Sequence, residues 1–129
     1  MSHEASSQRS LSRFLLASNL FARLRSRVKV GAFVPPRNGR LSVFDTTSLA
    51  EARIWELGQV HVAGPRAKQL HGRADLGVDE VERESLRVEE APPPPEHANV
   101  VGWPEDDGLR EAIALRLAKR SRLVVNPAA

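Results

Sequence analysis

The chain has 129 residues, of which 41% are hydrophobic and 27% are charged. This length is typical of one domain, and the apolar fraction is sufficient to form a core. The absence of cysteine excludes disulfides, a thiol nucleophile and cysteine-ligated metal sites. No apolar run reaches the roughly eighteen residues that indicate a transmembrane helix.

Charge is distributed unevenly along the chain. Residues 1–44 contain eight basic side chains and one acidic side chain, whereas residues 72–108 contain three basic and eleven acidic side chains. The net charge is +3, and most basic residues are arginine, whose guanidinium fork suits phosphate and carboxylate. The basic segment is predicted to face nucleic acid or an acidic protein partner. The alternative is that the acidic middle neutralises it, within the fold or across a dimer.

The N-terminal part predicts a polar tail over residues 1–9 and an amphipathic helix over residues 10–27. The apolar residues near helical spacing are Leu11, Phe14, Leu15, Phe21, Leu24 and Val28. The arginine- and serine-rich composition is also typical of a mitochondrial targeting segment or of an interfacial helix. We favour the first helix of a bacterial cytoplasmic domain. The alternative is docking on a partner through Phe14, Phe21 and Leu24.

Residues 28–45 predict a β-hairpin. Apolar and polar residues alternate in its first half, and the dipeptide Asn38-Gly39 favours a tight turn before the return strand. This turn would place Arg37 and Arg40 at the tip of the hairpin.

The rest of the chain alternates between short helical and short extended patterns. The predicted elements are helices over residues 49–57 and 107–121, a helical turn over 78–84, and strands over 70–76, 86–89, 97–103 and 123–125. Ser48 begins a capping-box match before the first of these helices, and Asp106 or Asp107 can cap the last. The fold class predicted for residues 10–129 is α+β: a small, mainly antiparallel sheet with three helices packed largely on one face.

The segment from His71 to Asp75 contains the densest set of chemically active residue types. On a strand, His71, Arg73 and Asp75 share one face, where a histidine can carry a proton and an arginine can hold a phosphate. The alternative is a half-exposed strand whose polar face forms a cross-strand ion pair.

His97 and Asn99 form a second polar pair, at the start of the strand that follows the proline-rich connector. If this strand lies beside residues 71–75, His71, Arg73 and His97 form one catalytic cluster. The alternative roles are structural, with His97 capping the loop and Asn99 bonding to backbone.

A strand histidine near an arginine and a serine also occurs in ADP-ribosyl transfer and in RNA-end phosphate chemistry. Arg40 and Ser42 have these residue types, although the likeness is one of residue types only. The sequence matches no glycine-rich nucleotide loop, no GxSxG and no HExxH motif.

Two functions are consistent with these patterns. The first is a small basic module that binds nucleic acid or an acidic protein, as a homo-oligomer or within a bacterial complex, through Arg23, Arg25, Arg27, Arg37 and Arg40. The second is a small enzyme that acts on a phosphate-bearing substrate, such as a nucleotide, an RNA end or an ADP-ribose-like group, with His71, Arg73 and His97 as its catalytic residues. The sequence predicts no cofactor, no metal site and no membrane contact.

Overall fold

The computed structural model describes residues 9–128. Its strands are β1 Ser10–Leu15, β2 Phe21–Ala22, β3 Arg27–Val28, β4 Leu41–Asp45, β5 Gly72–Gly77, β6 Arg87–Glu90, β7 His97–Val101 and β8 Arg122–Val125; its α-helices are α1 Glu51–Gly58, α2 Val78–Arg83 and α3 Asp107–Arg120. Six strands form one antiparallel sheet in the order β6-β7-β4-β1-β5-β8, and β2 pairs with β3 separately. The predicted α+β class with a mainly antiparallel sheet is confirmed.

Two hydrophobic clusters cover opposite faces of the large sheet. Neighbouring residues of a strand point to opposite faces, so that Leu15 belongs to the larger cluster and Phe14 to the smaller one. The larger cluster lies beneath α2 and α3, which contribute Val81 and Leu117 among others. The smaller cluster lies beneath α1, which contributes Leu57. Two of the three helices therefore share a face, and we call the other face of the sheet the α1 face.

Residues 10–27 do not form the predicted helix. They form β1, a 3₁₀ turn over Ser18–Leu20, β2 and a second 3₁₀ turn over Arg23–Arg25. β1 lies in the middle of the sheet, between β4 and β5. A strand that is buried on both faces does not alternate between apolar and polar residues. The close spacing of Leu11, Phe14 and Leu15 therefore resembled a helical stripe, although all three lie in the core.

The predicted hairpin over residues 28–45 is also wrong. β3 pairs with β2, whereas β4 pairs with β1 and β7. The tight turn itself does form: Gly39 has a φ of +71°, and its N–H donates to the Pro36 carbonyl at 2.9 Å. The Asn-Gly dipeptide thus determined the local backbone but not which strands pair on either side of it.

The remaining predicted helices and strands are confirmed, and their ends agree with the structure to within two residues. Asp106 caps α3 by accepting a hydrogen bond from the Leu109 N–H at 2.8 Å. The capping box is absent, because α1 begins after Ala50, which has no side-chain cap, and Ser48 has a φ of 61°.

Most of the predicted tail, residues 1–8, lies outside the described residues. Arg9 is described, and its Nη2 group pairs with Asp45 Oδ2 at 2.9 Å, so this residue is attached to the sheet. Of the helices within residues 9–128, none combines the length and the apolarity needed to cross a membrane.

Candidate active site

A cleft of about 310 Å³ opens on the α1 face where β1 and β4 separate. The two strands pair only at Leu11↔Asp45 and Ser12↔Phe44. The described residues that line this main cleft include three cations and no carboxylate; the cations are Arg13, Arg66 and Lys68. A continuation of about 180 Å³ shares Ser42 and Arg66 with the main cleft and extends to His61 and His97.

Arg13 lies between Leu11 and Leu15 of the larger cluster, and its side chain lines the main cleft from the gap between the two strands. Its Nε donates to the Ala32 carbonyl at 3.0 Å, and its Nη1 donates to the Ser42 carbonyl at 2.9 Å. Neither partner is acidic. Burial, with repulsion from Arg66, lowers the pKa of Arg13 to about 10. The guanidinium is therefore charged at neutral pH, and a bound anion would supply the counter-charge that these contacts lack.

Ser42 and His97 form a hydrogen-bonded pair beside Arg13. His97 Nδ1 lies 2.7 Å from the Ala91 carbonyl oxygen, which can only accept, so Nδ1 carries the proton of the neutral ring. The unprotonated Nε2 then accepts from the Ser42 hydroxyl at 2.8 Å. A serine, a histidine base and a third group that orients the base make up the arrangement that activates a hydroxyl nucleophile.

The register of β4 and β7 explains how this pair forms. His97 lies opposite Phe44, and Asn99 lies opposite Ser42, so all four side chains point to the α1 face. The His97 and Phe44 rings pack with their centroids 5.2 Å apart. Ser42 lines the cleft, whereas Phe44, two residues further along β4, is buried in the cluster beneath α1.

The structure does not bring the three predicted catalytic residues together. β7, which contains His97, pairs with β4 and β6 rather than with β5, so the expected neighbouring of the two strands is wrong. Three strand spacings, about 14 Å, separate β7 from β5. Of the three, only His97 lines the continuation of the main cleft. His71 contacts Phe21, with ring centroids 6.4 Å apart.

Arg73 is held by acidic side chains of its own. Its side chain is 2% exposed, and it donates to Asp75 at 3.0 Å and to Glu51 at 2.7 and 3.1 Å. It also lies 4.7 Å from the centre of the Trp55 ring. Burial opposes the charge, but the bonds to Glu51 and Asp75 outweigh it and raise the pKa of Arg73. Arg73 is therefore ion-paired, as the alternative for this strand expected, but the partners are Asp75 on the same strand and Glu51 on α1 and not a residue of a neighbouring strand.

The five arginines predicted to bind a partner are exposed and lie in two places. Arg23, Arg25 and Arg27 belong to the segment around β2 and β3, next to the fully exposed Leu24. Arg37 and Arg40 line another cleft, of about 430 Å³. The arginine beside Ser42 is therefore Arg13 and not Arg40.

Sequence reasoning missed Arg13, Arg66 and Lys68. The sequence contains one signal for Arg13, because this charged residue directly precedes the apolar run Phe14-Leu15-Leu16. Arg66 ends the 3₁₀ helix Gly64–Arg66, and Lys68 follows two residues later. The sequence contains no signal for either residue, since only the fold brings this segment to β4.

Within residues 9–128, no group of three or more His, Asp or Glu side chains is placed to hold a metal ion. Comparison of the chain with known protein families, curated proteins and solved structures gave no match.

Proposed function

We propose that the protein acts on a phosphate-bearing substrate whose phosphate occupies the main cleft. The observation that carries this proposal is that the Ser42 hydroxyl, hydrogen-bonded to His97, borders a cleft lined by Arg13, Arg66 and Lys68. Three positive charges suit a phosphate with more than one negative charge, and arginine binds phosphate oxygens through two parallel hydrogen bonds.

The chemistry that suits this geometry is phosphoryl transfer to serine. His97 Nε2 takes the proton of the Ser42 hydroxyl as the Oγ attacks phosphorus. The bond from phosphorus to the leaving oxygen breaks, and that oxygen takes the proton back from Nε2. Water, deprotonated by His97 in the same way, then attacks the phosphoserine, releases phosphate and restores the hydroxyl.

The cations stabilise the negative charge that develops on the phosphate oxygens during both steps. Arg13 is fixed by two backbone carbonyls before any substrate binds, so it loses little conformational freedom on binding. Ala91 fixes the His97 ring through its carbonyl, which keeps Nε2 directed at Ser42.

The first test is hydrolysis of p-nitrophenyl phosphate, bis(p-nitrophenyl) phosphate and nucleoside phosphates by the full chain. We expect Ser42→Ala and His97→Gln to lower turnover by roughly a thousandfold or more. Intact mass spectrometry of the substrate-treated protein should detect one added phosphoryl group on Ser42.

Ser12→Ala is the matched control. Ser12 also lies on the α1 face, but its hydroxyl bonds to Asp75 and Thr46 instead of a histidine, so this variant should keep full turnover. Equal turnover by Ser42→Ala and the parent, or no turnover together with no binding of inorganic phosphate, would contradict the proposal.

A second candidate function is the binding of nucleic acid or an acidic protein through the exposed arginines. The observation that favours it is that none of Arg23, Arg25, Arg27, Arg37 and Arg40 has an acidic partner in the described part of the chain. Replacing Arg23, Arg25 and Arg27 by Ala should weaken binding to a DNA duplex and flatten its salt dependence by about one unit of slope for each phosphate that the variant no longer binds. Unchanged binding would exclude these residues.

A further inference from the structure

We infer that the phosphate-bearing substrate is a single-stranded oligonucleotide, which extends from the Ser42–His97 pair along β7 to a second basic cleft. This inference rests on the proposed function, because it takes the reacting phosphate to lie in the main cleft. It adds the class of molecule to which that phosphate belongs.

The second cleft, of about 430 Å³, carries an excess of positive charge. Four arginines line it, against two carboxylates; the arginines are Arg37, Arg40, Arg87 and Arg110, and the carboxylates are Glu89 and Glu105. Arg87 is paired with Glu89 at 3.4 Å. Arg37 and Arg40 are exposed and have no salt bridge among residues 9–128, so both are available to phosphates.

The strand register places the β6 and β7 side chains of the second cleft on the α1 face, and Trp103 and the α3 residue Arg110 also line this cleft. Arg87 lies opposite Val101, and Glu89 lies opposite Asn99, which in turn lies opposite Ser42. Residues that lie opposite each other on paired strands point to the same face, and so do alternate residues along one strand. His97, Asn99 and Val101 therefore form a row on that face, and Val101 lines the second cleft.

The length of this row decides between a small and an extended ligand. Val101 is four residues from His97, which corresponds to about 13 Å along a strand. One phosphate group cannot contact cations at both ends of this row, whereas a chain of linked phosphates can. Asn99, partly exposed between the two ends, offers an amide that can donate to a phosphate or to a base.

The shape of the site favours one nucleic-acid strand over a duplex or an acidic peptide. The part of the cleft next to Ser42 has a volume of about 180 Å³ and is lined by Val62, Arg66, Pro93 and Pro94. A space of this size suits a single chain end and is too small for a duplex. An acidic peptide would occupy the arginines but would present no phosphorus to Ser42.

The test uses the full chain with Ser42→Ala, which prevents turnover during the measurement. Calorimetric titrations with thymidine monophosphate and with phosphorylated oligothymidylates of four and eight nucleotides give the affinities, with the terminal phosphate at either end. We expect the octanucleotide to bind at least tenfold more tightly than the mononucleotide. Adding Arg37→Ala and Arg40→Ala should abolish this gain and leave the mononucleotide affinity unchanged.

Arg83→Ala with Lys119→Ala is the matched control, because it removes the same charge from exposed positions on α2 and α3, which pack on the opposite face. In this control variant the octanucleotide should still bind at least tenfold more tightly than the mononucleotide. The salt dependence provides a second readout in the protein with only Ser42→Ala. The logarithm of the octanucleotide affinity should fall more steeply with salt than that of the mononucleotide, by about one unit of slope for each additional phosphate bound.

Equal affinity for the mononucleotide and the octanucleotide overturns the inference and leaves the proposed function standing. The inference is likewise overturned, with the proposed function left standing, if the octanucleotide still binds more tightly than the mononucleotide in the Arg37/Arg40 variant. A polyglutamate peptide that binds as tightly as the octanucleotide, and with the same loss on substitution, shows that the second cleft takes acidic protein instead. Failure of the mononucleotide to bind, or binding that is indifferent to Arg13→Met, overturns the proposed function itself.

Discussion

Arg13 on β1 and Arg73 on β5 lie on neighbouring strands, yet their surroundings are opposite. Arg73 is enclosed by Asp75 and Glu51 and by the Trp55 ring. Arg13 bonds only to backbone carbonyls and faces a cleft lined with further cations. The pKa of Arg73 is raised by its carboxylate partners, whereas burial lowers the pKa of Arg13 to about 10. The charge of a guanidinium with its own acids is balanced within the fold, whereas a guanidinium without them can receive an anion.

The α1 face shows a similar contrast between a region filled by packing and a region that borders a cleft. Over β1 and β5, helix α1 packs directly on the sheet, because Gly58 allows it to approach Phe14: an added Cβ would lie 2.6 Å from the Phe14 ring. Over β4 and β7 the polar side chains of Ser42, His97 and Asn99 line clefts or remain partly exposed. Packing beneath α1 buries Phe14 and Phe44, whereas the cleft beside Arg13 and Ser42 remains accessible to a ligand.

The largest expected effect is that of Arg73→Met on stability. The substitution leaves Asp75, which is 19% exposed, without its cation, and breaking such a buried pair costs about 3–5 kcal/mol of unfolding free energy. Urea denaturation measures this loss. Glu51→Gln is the control: because Glu51 is 67% exposed, it should cost less than about 1 kcal/mol. If Arg73→Met lowers the free energy of unfolding no more than Glu51→Gln does, Arg73 does not have the structural role assigned to it.

Arg13→Met should instead act mainly on anion binding. Loss of charge-assisted hydrogen bonds worth about 1.5–3 kcal/mol lowers the affinity for inorganic phosphate by roughly ten- to a hundredfold. Stability should fall less than in Arg73→Met, because the removed charge has no acidic partner to leave behind. Calorimetric titration with phosphate and urea denaturation provide the two values. If both substitutions affect stability and binding alike, the distinction between these two arginines fails.

Gly58→Ala tests the closed half of the face. The new methyl group must displace the Phe14 ring, and overpacking of this kind costs about 1–3 kcal/mol, partly offset by the better helix propensity of alanine, about 1 kcal/mol. We expect a net loss of stability in urea denaturation. Because Phe14 lines the main cleft but is not one of its cations, the loss of phosphate affinity should be much smaller than that of Arg13→Met. Gly108→Ala, at an exposed position in the first turn of α3, is a matched control. Its Cβ would lie 3.2 Å from Asp106 Oδ1, a contact that a small shift of an exposed side chain relieves, so it should destabilise the protein less than Gly58→Ala.

The smallest expected effect concerns Glu84, which accepts hydrogen bonds from Arg116 and Arg120 on α3. Arg116 and then Arg120 hold the pKa of Glu84 below its ordinary value of 4.5, against a smaller opposing effect of burial. A folded-state pKa below the unfolded value stabilises the fold above that unfolded value, and this stability is lost as pH falls through the folded one. Glu84→Gln should therefore lower the urea midpoint at pH 7 slightly, and the difference from the parent should shrink towards pH 3. A difference that is constant with pH would show that the charge of Glu84 contributes nothing.

Several elements could be predicted from the sequence because their signals are local. Asp106 and the helical spacing after it predicted α3, and the Asn38-Gly39 dipeptide predicted its turn. Alternating residues predicted β6, and short extended patterns predicted β5, β7 and β8. These signals depend only on backbone geometry and on neighbours a few residues away, so they act independently of the tertiary structure. The same locality allowed His97 to be identified as a candidate, because its strand was recognisable.

The residues that His97 faces depend instead on the order of the strands, which no local signal contains. Ser42 and His97 are 55 residues apart in the chain, and they meet because β7 pairs with β4 in one register. The predicted partners His71 and Arg73 lie on β5 or beside it, and β4 and β1 separate β5 from β7. Strand order follows from the burial of apolar faces across the whole sheet, and that burial also turned the predicted N-terminal helix into the central strand β1. The cleft exists for the same reason, since β1 and β4 pair at one end only and leave the gap that Arg13 occupies.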